Sequence, residues 1–374
     1  MKYLVRLGPW AALLALSALL VAPLELARLP AGFLLGPMLA GILIRNLSLG
    51  PRAAAASEAP RPQSPRGPQI PLLGVNLAQA VVGLLIARTV TPEIIRTVLD
   101  HWPLFLGFTL STLLFSALLG WWFTRLRLVP GTTAIWGLLP GGAGAVVLMA
   151  GEYGADARIV AFMQYLRVLV VTVLASLIAG WSAHPSSSPV VANDWFPPLA
   201  TPGFMQTAAL IVAAIAIGRF SRIANGTMLV AMVAGAMLHD TGLMHIELPP
   251  WLLATSFTAL GWSIGLRFTR EVLGSARRVL PATVLCIVVL IAACGLLGWL
   301  MAHLLGTDPL TAYLATSPGG ADSVAVIAAS SPVNAPLVMA FQTARLFAVI
   351  AVGPAMSRYI ATRLAPVRPP LPSN

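Results

Sequence analysis

Two short elements hold the residues in this chain best suited to chemistry. They read Leu139-Pro140-Gly141-Gly142-Ala143-Gly144 and Ser317-Pro318-Gly319-Gly320-Ala321-Asp322-Ser323. Proline removes a backbone donor and clashes with the turn before it, and paired glycines make a broken conformation accessible. Broken backbone inside hydrocarbon leaves N–H and C=O groups unpaired, which is tolerated only against protein or a watery cavity. The N–H groups that open the following half-helix then attract an anion. The plainer alternative is a packing kink, since glycine and proline are ordinary in membrane helices. Each element is followed by a glutamine three residues before an arginine, Gln164-Tyr165-Leu166-Arg167 and Gln342-Thr343-Ala344-Arg345. That spacing sets amide and guanidinium on one helical face.

Both arginines lie well inside apolar runs, where insertion costs at least about 2.5–3.5 kcal/mol and a cavity or partner is needed. Two guanidiniums in a low-dielectric site suit a carboxylate or similar anion bidentately. The candidate substrate-binding residues are therefore Pro140, Gly141, Gly142, Gln164, Arg167, Pro318, Gly319, Gly320, Ser323, Gln342 and Arg345. The alternative for the arginines is structural pairing with a bundle acid, and Asp322 is the candidate acid. Asp322 has Gly144 as its counterpart, so it breaks the symmetry of the two elements. It is the candidate site for a coupling proton or Na⁺, with simple neutralisation of Arg345 as the other reading. Glu152 and Asp156 face Ser330 and Asn334 in the other copy and suit a mouth or loop role equally well.

The remaining inventory points away from catalysis. His101, His184, His239, His245 and His303 fall near the ends of apolar runs, and no HExxH, paired-cysteine or nucleotide-loop motif occurs. His239, Asp240 and His245 are close in sequence and form only a weak metal constellation. Cys286 and Cys294 are eight helical residues apart, about 12 Å, too far for a disulfide. The expectation is a protein that is no enzyme and needs no metal or cofactor.

The elements that position these residues follow from composition. Of 374 residues 58% are hydrophobic and 9% charged, with a mean hydropathy of +0.86. A soluble domain carries roughly 25% charged residues, so this chain belongs in a bilayer. The net charge of +11 does not signal nucleic acid, because the 23 basic residues punctuate apolar runs one to four at a time. Spans are expected near 9–26, 30–47, 70–88, 102–124, 157–181, 203–219, 224–239, 248–267, 279–304 and 335–359. The first span, behind Lys2 and Arg6, also resembles a secretory signal. The stretches 131–150 and 309–329 carry the Pro-Gly-Gly elements.

The chain contains itself twice. An offset of 178 residues pairs Gly83 with Gly261, Gly120-Trp121 with Gly298-Trp299, Pro140 with Pro318, Gln164 with Gln342 and Arg167 with Arg345. Upstream an offset of 194 aligns Arg28, Gly32, Met38 and Gly41 with Arg222, Gly226, Met232 and Gly235. The predicted organisation is a first membrane repeat over 1–181 with a solvated loop at 50–69, an external linker at 182–200, a second repeat over 201–364 and a cytoplasmic tail at 365–374. If the Pro-Gly-Gly segments do not fully cross, each half has five spans and 18 of the 23 basic residues lie inside. If both cross, that bias vanishes. The positive-inside rule selects the first arrangement, and five spans per half invert the second repeat. The fold class predicted is thus an all-α integral membrane protein of about ten transmembrane helices plus two broken or re-entrant segments, in two inverted-topology repeats. Both termini are placed in the cytoplasm, the membrane being the bacterial inner membrane.

The two Pro-Gly-Gly copies, each followed by Gln-x-x-Arg, together with Gly36-Pro37-Met38-Leu39-Ala40-Gly41, resemble the duplicated AbrB-type bacterial membrane protein family. The resemblance runs from about Leu24 to Arg363. It implies a label of regulator of gene expression for some members and of ammonia monooxygenase for others, and supplies no substrate or catalytic residue. No basic recognition helix stands outside the membrane, so any regulatory effect is expected to be indirect and without direct nucleic-acid contact. No histidine-rich copper site of a monooxygenase is legible. The function expected is a secondary transporter of a small, anionic organic solute such as a carboxylate, at the repeat interface, with H⁺ or Na⁺ as coupling ion. The alternative is a membrane ligand sensor, and a homo-oligomer stays open.

Overall fold

The computed structural model describes residues 2–27, 29, 31–47, 70–88, 90, 92, 96, 99–100, 102–126, 132–140, 146–147, 150, 155–182, 195–198, 201–221, 225–277 and 279–359. The loop at 50–69 and the tail at 365–374, with Gly141, Gly142, Gly144 and Glu152, lie outside the described residues, as does most of the linker. Among the described residues all regular structure is helical.

The apolar runs become α1 (Lys2–Leu26), α2 (Gly32–Leu47), α3 (Leu72–Ala87), α4 (Trp102–Arg125), α6 (Ala157–Ser182), α7 (Thr201–Ser221), α8 (Gly226–Asp240), α9 (Pro250–Gly265), α11 (Leu280–Leu305) and α14 (Ala335–Tyr359). Each run expected to span is therefore a helix. The segments Pro9–Leu26, Trp102–Arg125, Ala157–Trp181, Pro202–Phe220 and Leu280–Leu305 are long and apolar enough to cross a bilayer. Others are short: the 16 residues of α2 and α3 reach about 24 Å, less than a hydrocarbon core of about 30 Å. This is a multi-pass membrane protein.

A helix ends just before each Pro-Gly-Gly element, as proline requires. The first follows α5 (Thr133–Leu138), whose chain turns extended at Leu139. The second separates α12 (Pro309–Thr316) from α13 (Ala321–Ala329). A short surface helix, α10 (Arg270–Ala276), completes the set. Local signals fix the ends: Gly306 closes α11 with φ +62, a left-handed position that suits glycine. The Asp308 carboxylate then accepts from the Thr311 amide at 2.9 Å and starts α12. Asp308→Ala is expected to cost about 1 kcal/mol, read as a small fall in Tm.

The chain forms two compact units, Met1–Pro92, Thr172–Glu271 and Asp322–Pro336 in one, and Glu93–Val171, Val272–Ala321 and Leu337–Asn374 in the other. Each unit takes corresponding helices from both sequence repeats. In the first unit α2 packs on α9, and α3 packs on α8. Helices in lipid gain little from hydrophobic burial, so close backbone approach through small residues decides which pairs form. A Cβ on Gly83 would fall on the Met228 carbonyl and against Met232 N, and one on Gly261 would fall on the Leu34 carbonyl and against Met38 N. Those contacts are equivalent under the two offsets, 178 for the glycines and 194 for their partners. Gly41 likewise abuts Gly265, as Gly235 abuts Ala87. The left-handed residues Ala31 (φ 63) and Asn225 (φ 59) also match by the offset of 194. Helix α1 belongs to this unit, with the Val21 backbone seated on Gly36 and Trp262 Nε1 donating to Ser17 Oγ at 2.9 Å.

In the second unit α4 packs on α5 and α11 on α12. Gly120 receives Ile135 Cα and Gly298 receives Tyr313 Cα, again equivalent by 178. Around them Leu119, Phe123, Leu138, Phe162, Met163, Leu290 and Cys294 form a buried cluster. Both cysteines are free and buried.

Candidate functional site

Breaking a helix strands the carbonyls of its last turn, which must find donors. In the second unit those donors are the two Gln-x-x-Arg faces. Gln164 Nε2 donates to the carbonyls of Trp136 at 2.7 Å and Leu139 at 2.9 Å. Arg167 Nη1 donates to Leu139 O at 2.8 Å and Leu138 O at 3.3 Å, and Nη2 to Gln164 Oε1 at 2.9 Å. The other copy repeats this. Gln342 Nε2 donates to Leu314 O at 2.9 Å and Ser317 O at 3.3 Å. Arg345 donates to the carbonyls of Ser317 and Gly319 and to Gln342 Oε1. Amide and guanidinium therefore cap the negative end of the half-helix that precedes each break, where a cation is favoured.

The four side chains lie deep: Gln164 and Arg167 are 0% exposed, Gln342 1% and Arg345 5%. Among the described residues neither guanidinium meets a carboxylate, and the Nε atom of each is buried without a hydrogen-bond partner. The two positive charges also act on one another. The acceptors Arg345 meets are the carbonyls of Ser317 and Gly319 and the amide oxygen of Gln342. Pro318 and Gly319 are buried at the break, Ser323 is buried in the first turn of α13, and Gly320 is partly exposed. Pro140 ends the described part of the first element, also buried.

Asp322 is held in the first unit instead. Gln79 Nε2 lies 3.3 and 3.2 Å from its two carboxylate oxygens and 3.1 Å from Asn225 Oδ1. Arg267, exposed and bonded through Nε to Ser263 O at 2.9 Å, is the cation whose field reaches Asp322. The sequence reading missed Gln79 and Asn225. An available signal was the amide inside the apolar run 72–87, but nothing local says what it meets 243 residues away.

Asp156, read as a mouth residue, starts α6: its carboxylate accepts from Arg158 N at 2.9 Å and Ile159 N at 3.3 Å. The His239 and His245 rings stand 6.4 Å apart, and His239 Nδ1 pairs with Met244 O at 3.3 Å. Among the described residues no three His, Cys, Asp or Glu side chains gather as metal ligands.

Comparison with known proteins agrees with the motif set. The family model "Transition state regulatory protein AbrB" matches residues 49–361. The chain is 43% identical over 359 residues to the Escherichia coli (strain K12) protein named "Putative regulator AbrB", covering 94% of this chain and 97% of that one. It is 26% identical over 304 residues to "Uncharacterized protein YhjN" of Bacillus subtilis (strain 168), covering 76% and 78%. On the match over nearly the whole length, with both Pro-Gly-Gly breaks and both Gln/Arg faces inside it, the chain belongs to the AbrB family of membrane proteins.

Proposed function

We propose that this protein is a secondary transporter that moves a small anionic organic solute, a carboxylate being the simplest. In this reading it lies in the bacterial inner membrane as two inverted repeats of five spans, with both termini cytoplasmic. One observation carries it: two buried, mutually repelling guanidiniums, each with an unspent Nε–H and no acid beside it among the described residues. Leaving a buried charged donor unmet costs at least about 1–3 kcal/mol. An anion would supply acceptors for both Nε–H groups and offset the repulsion. Arg167, Arg345 and their glutamines would bind it, with Pro140 and the broken backbone from Pro318 to Gly320 beside them. Asp322 would carry the coupling H⁺ or Na⁺.

The regulator names of the family support a second reading, a membrane sensor that binds the same anion and influences gene expression indirectly. Reconstitution into liposomes separates the two. A panel of radiolabelled carboxylates is expected to give saturable uptake that competing carboxylates suppress and cationic or neutral analogues do not. Binding without flux would replace the transporter by the sensor, and neither binding nor flux of any anion would remove both.

A further inference from the structure

The repeat symmetry fails at one polar cluster. In the first unit Gly83 and Gly261 make equivalent packing contacts, yet Gln79, Asn225 and Asp322 have Phe257, Ala31 and Gly144 as their sequence counterparts. By sequence, therefore, one copy carries an amide, an amide and a carboxylate where the other carries only apolar or small residues. Packing alone does not demand the polar version. Burying polar groups is costly in hydrocarbon, so the cluster has another use.

Its geometry is that of oxygens gathered around one point. Asn225 Oδ1 and both Asp322 oxygens lie 3.1, 3.3 and 3.2 Å from the single nitrogen Gln79 Nε2. An NH₂ group has two protons, so it cannot serve three acceptors well, and the distances sit at the long end of the usual range. Turning the Gln79 amide by half a rotation puts Oε1 in place of the nitrogen at no steric cost. Four oxygens then converge, and with Asp322 ionised they carry one negative charge that a bound cation would balance. Gln79 is 8% exposed, so solvent competes little for that place. The positive field of Arg267 opposes a cation, but that guanidinium is exposed and screened by water and salt.

We propose that Gln79, Asn225 and Asp322 form a Na⁺ site, in which the Gln79 amide donates to the two partners when the ion is absent and ligates through Oε1 when it is present. Hard oxygen donors without nitrogen or sulfur suit an s-block ion, and a single carboxylate suits a monovalent one. The proposal deepens the transport reading, on which it rests only for the ion's role, so binding is measured without flux.

The experiment uses the full-length protein in lipid nanodiscs, at fixed pH, with NaCl replaced isosmotically by choline chloride. Na⁺ is expected to raise Tm saturably by several degrees at concentrations far above Kd, and ²²Na⁺ is expected to bind with a stoichiometry of one per chain. Asp322→Asn and Gln79→Met should each lose the response at least tenfold in Na⁺ concentration; the second removes the oxygen at nearly constant volume, should the first fail to fold. Undiminished Na⁺ response in both variants, no response in the parent, or a Tm that follows pH but not Na⁺ would overturn the site. Na⁺ binding without solute flux would leave the site standing and remove the transporter; flux without Na⁺ binding would do the reverse.

Discussion

Arg345→Ala is expected to abolish anion binding and flux, lowering either by at least about 30-fold, since truncating one partner of a buried charged contact costs roughly 2–5 kcal/mol. Two effects combine in that loss. The variant removes one of two guanidiniums from the anion's surroundings. It also strips donors from the carbonyls of Ser317 and Gly319 and frees Gln342 Oε1, so the break itself loosens. Hydrogen bonds to charged groups contribute about 1.5–3 kcal/mol each, and a marked fall in Tm is expected as well. Arg345→Lys separates the two effects. Lysine keeps a point charge on a flexible stem but lacks the planar fork that reaches two carbonyls and the glutamine together. If the arginine's charge attracts the solute, the lysine variant should retain weak binding with most of the Tm loss. If the arginine only clamps the backbone, binding in Arg345→Lys should fall in step with Tm, and a stabilising second-site change should restore it. Arg167→Ala should behave alike, because its bonds to Leu139 O and Gln164 Oε1 match those of Arg345 to Ser317 O and Gln342 Oε1. Full flux in a folded Arg345→Ala protein would end the site assignment.

The second large effect concerns the glycines. Gly83→Val and Gly261→Val are each expected to destabilise by about 3 kcal/mol or more, beyond the usual cost of overpacking. What a Cβ would strike is backbone, Met228 O in one case and Leu34 O in the other, so no rotamer change can relieve it and the helix pair must separate. The two variants should lose similar amounts of Tm, because their surroundings are equivalent. Gly107→Val and Gly274→Val are the controls: nothing lies within 4 Å of a Cβ at either position, and both should leave Tm nearly unchanged. Size-exclusion chromatography after graded heating measures all four. Unequal losses at Gly83 and Gly261 would mean that the two halves do not share one packing scheme.

Much of this architecture was legible in one dimension. Apolar runs mark helices because a bilayer allows a spanning backbone few other conformations, and each run expected to span is a helix here. The breaks were legible because Pro318 and Pro140 obstruct the turn before them wherever they occur. The pairing of Gln with Arg was legible as a spacing of three, and the duplication as an offset. All of these are properties of neighbouring residues or of the chain compared with itself.

What the guanidiniums bond to was not legible. An arginine in an apolar run announces that it needs partners, and the sequence offered two, a bound anion or the acid Asp322. The carbonyls that bind Arg345 become free only through the path of the backbone after Thr316, and no residue type records that. The grouping of helices into units was equally hidden, because each unit draws on both repeats and close approach depends on which glycine meets which carbonyl. The same holds for Gln79 on α3, Asn225 just before α8 and Asp322 on α13, with 146 and 243 residues between partners. The sequence by itself determined a membrane protein, its helices, its two breaks and its duplicated motif, because each rests on local stereochemistry and on the solvent. Only the tertiary structure decided that the arginines cap broken helices and that one carboxylate meets two amides, because long-range partners are chosen by packing that no local pattern encodes.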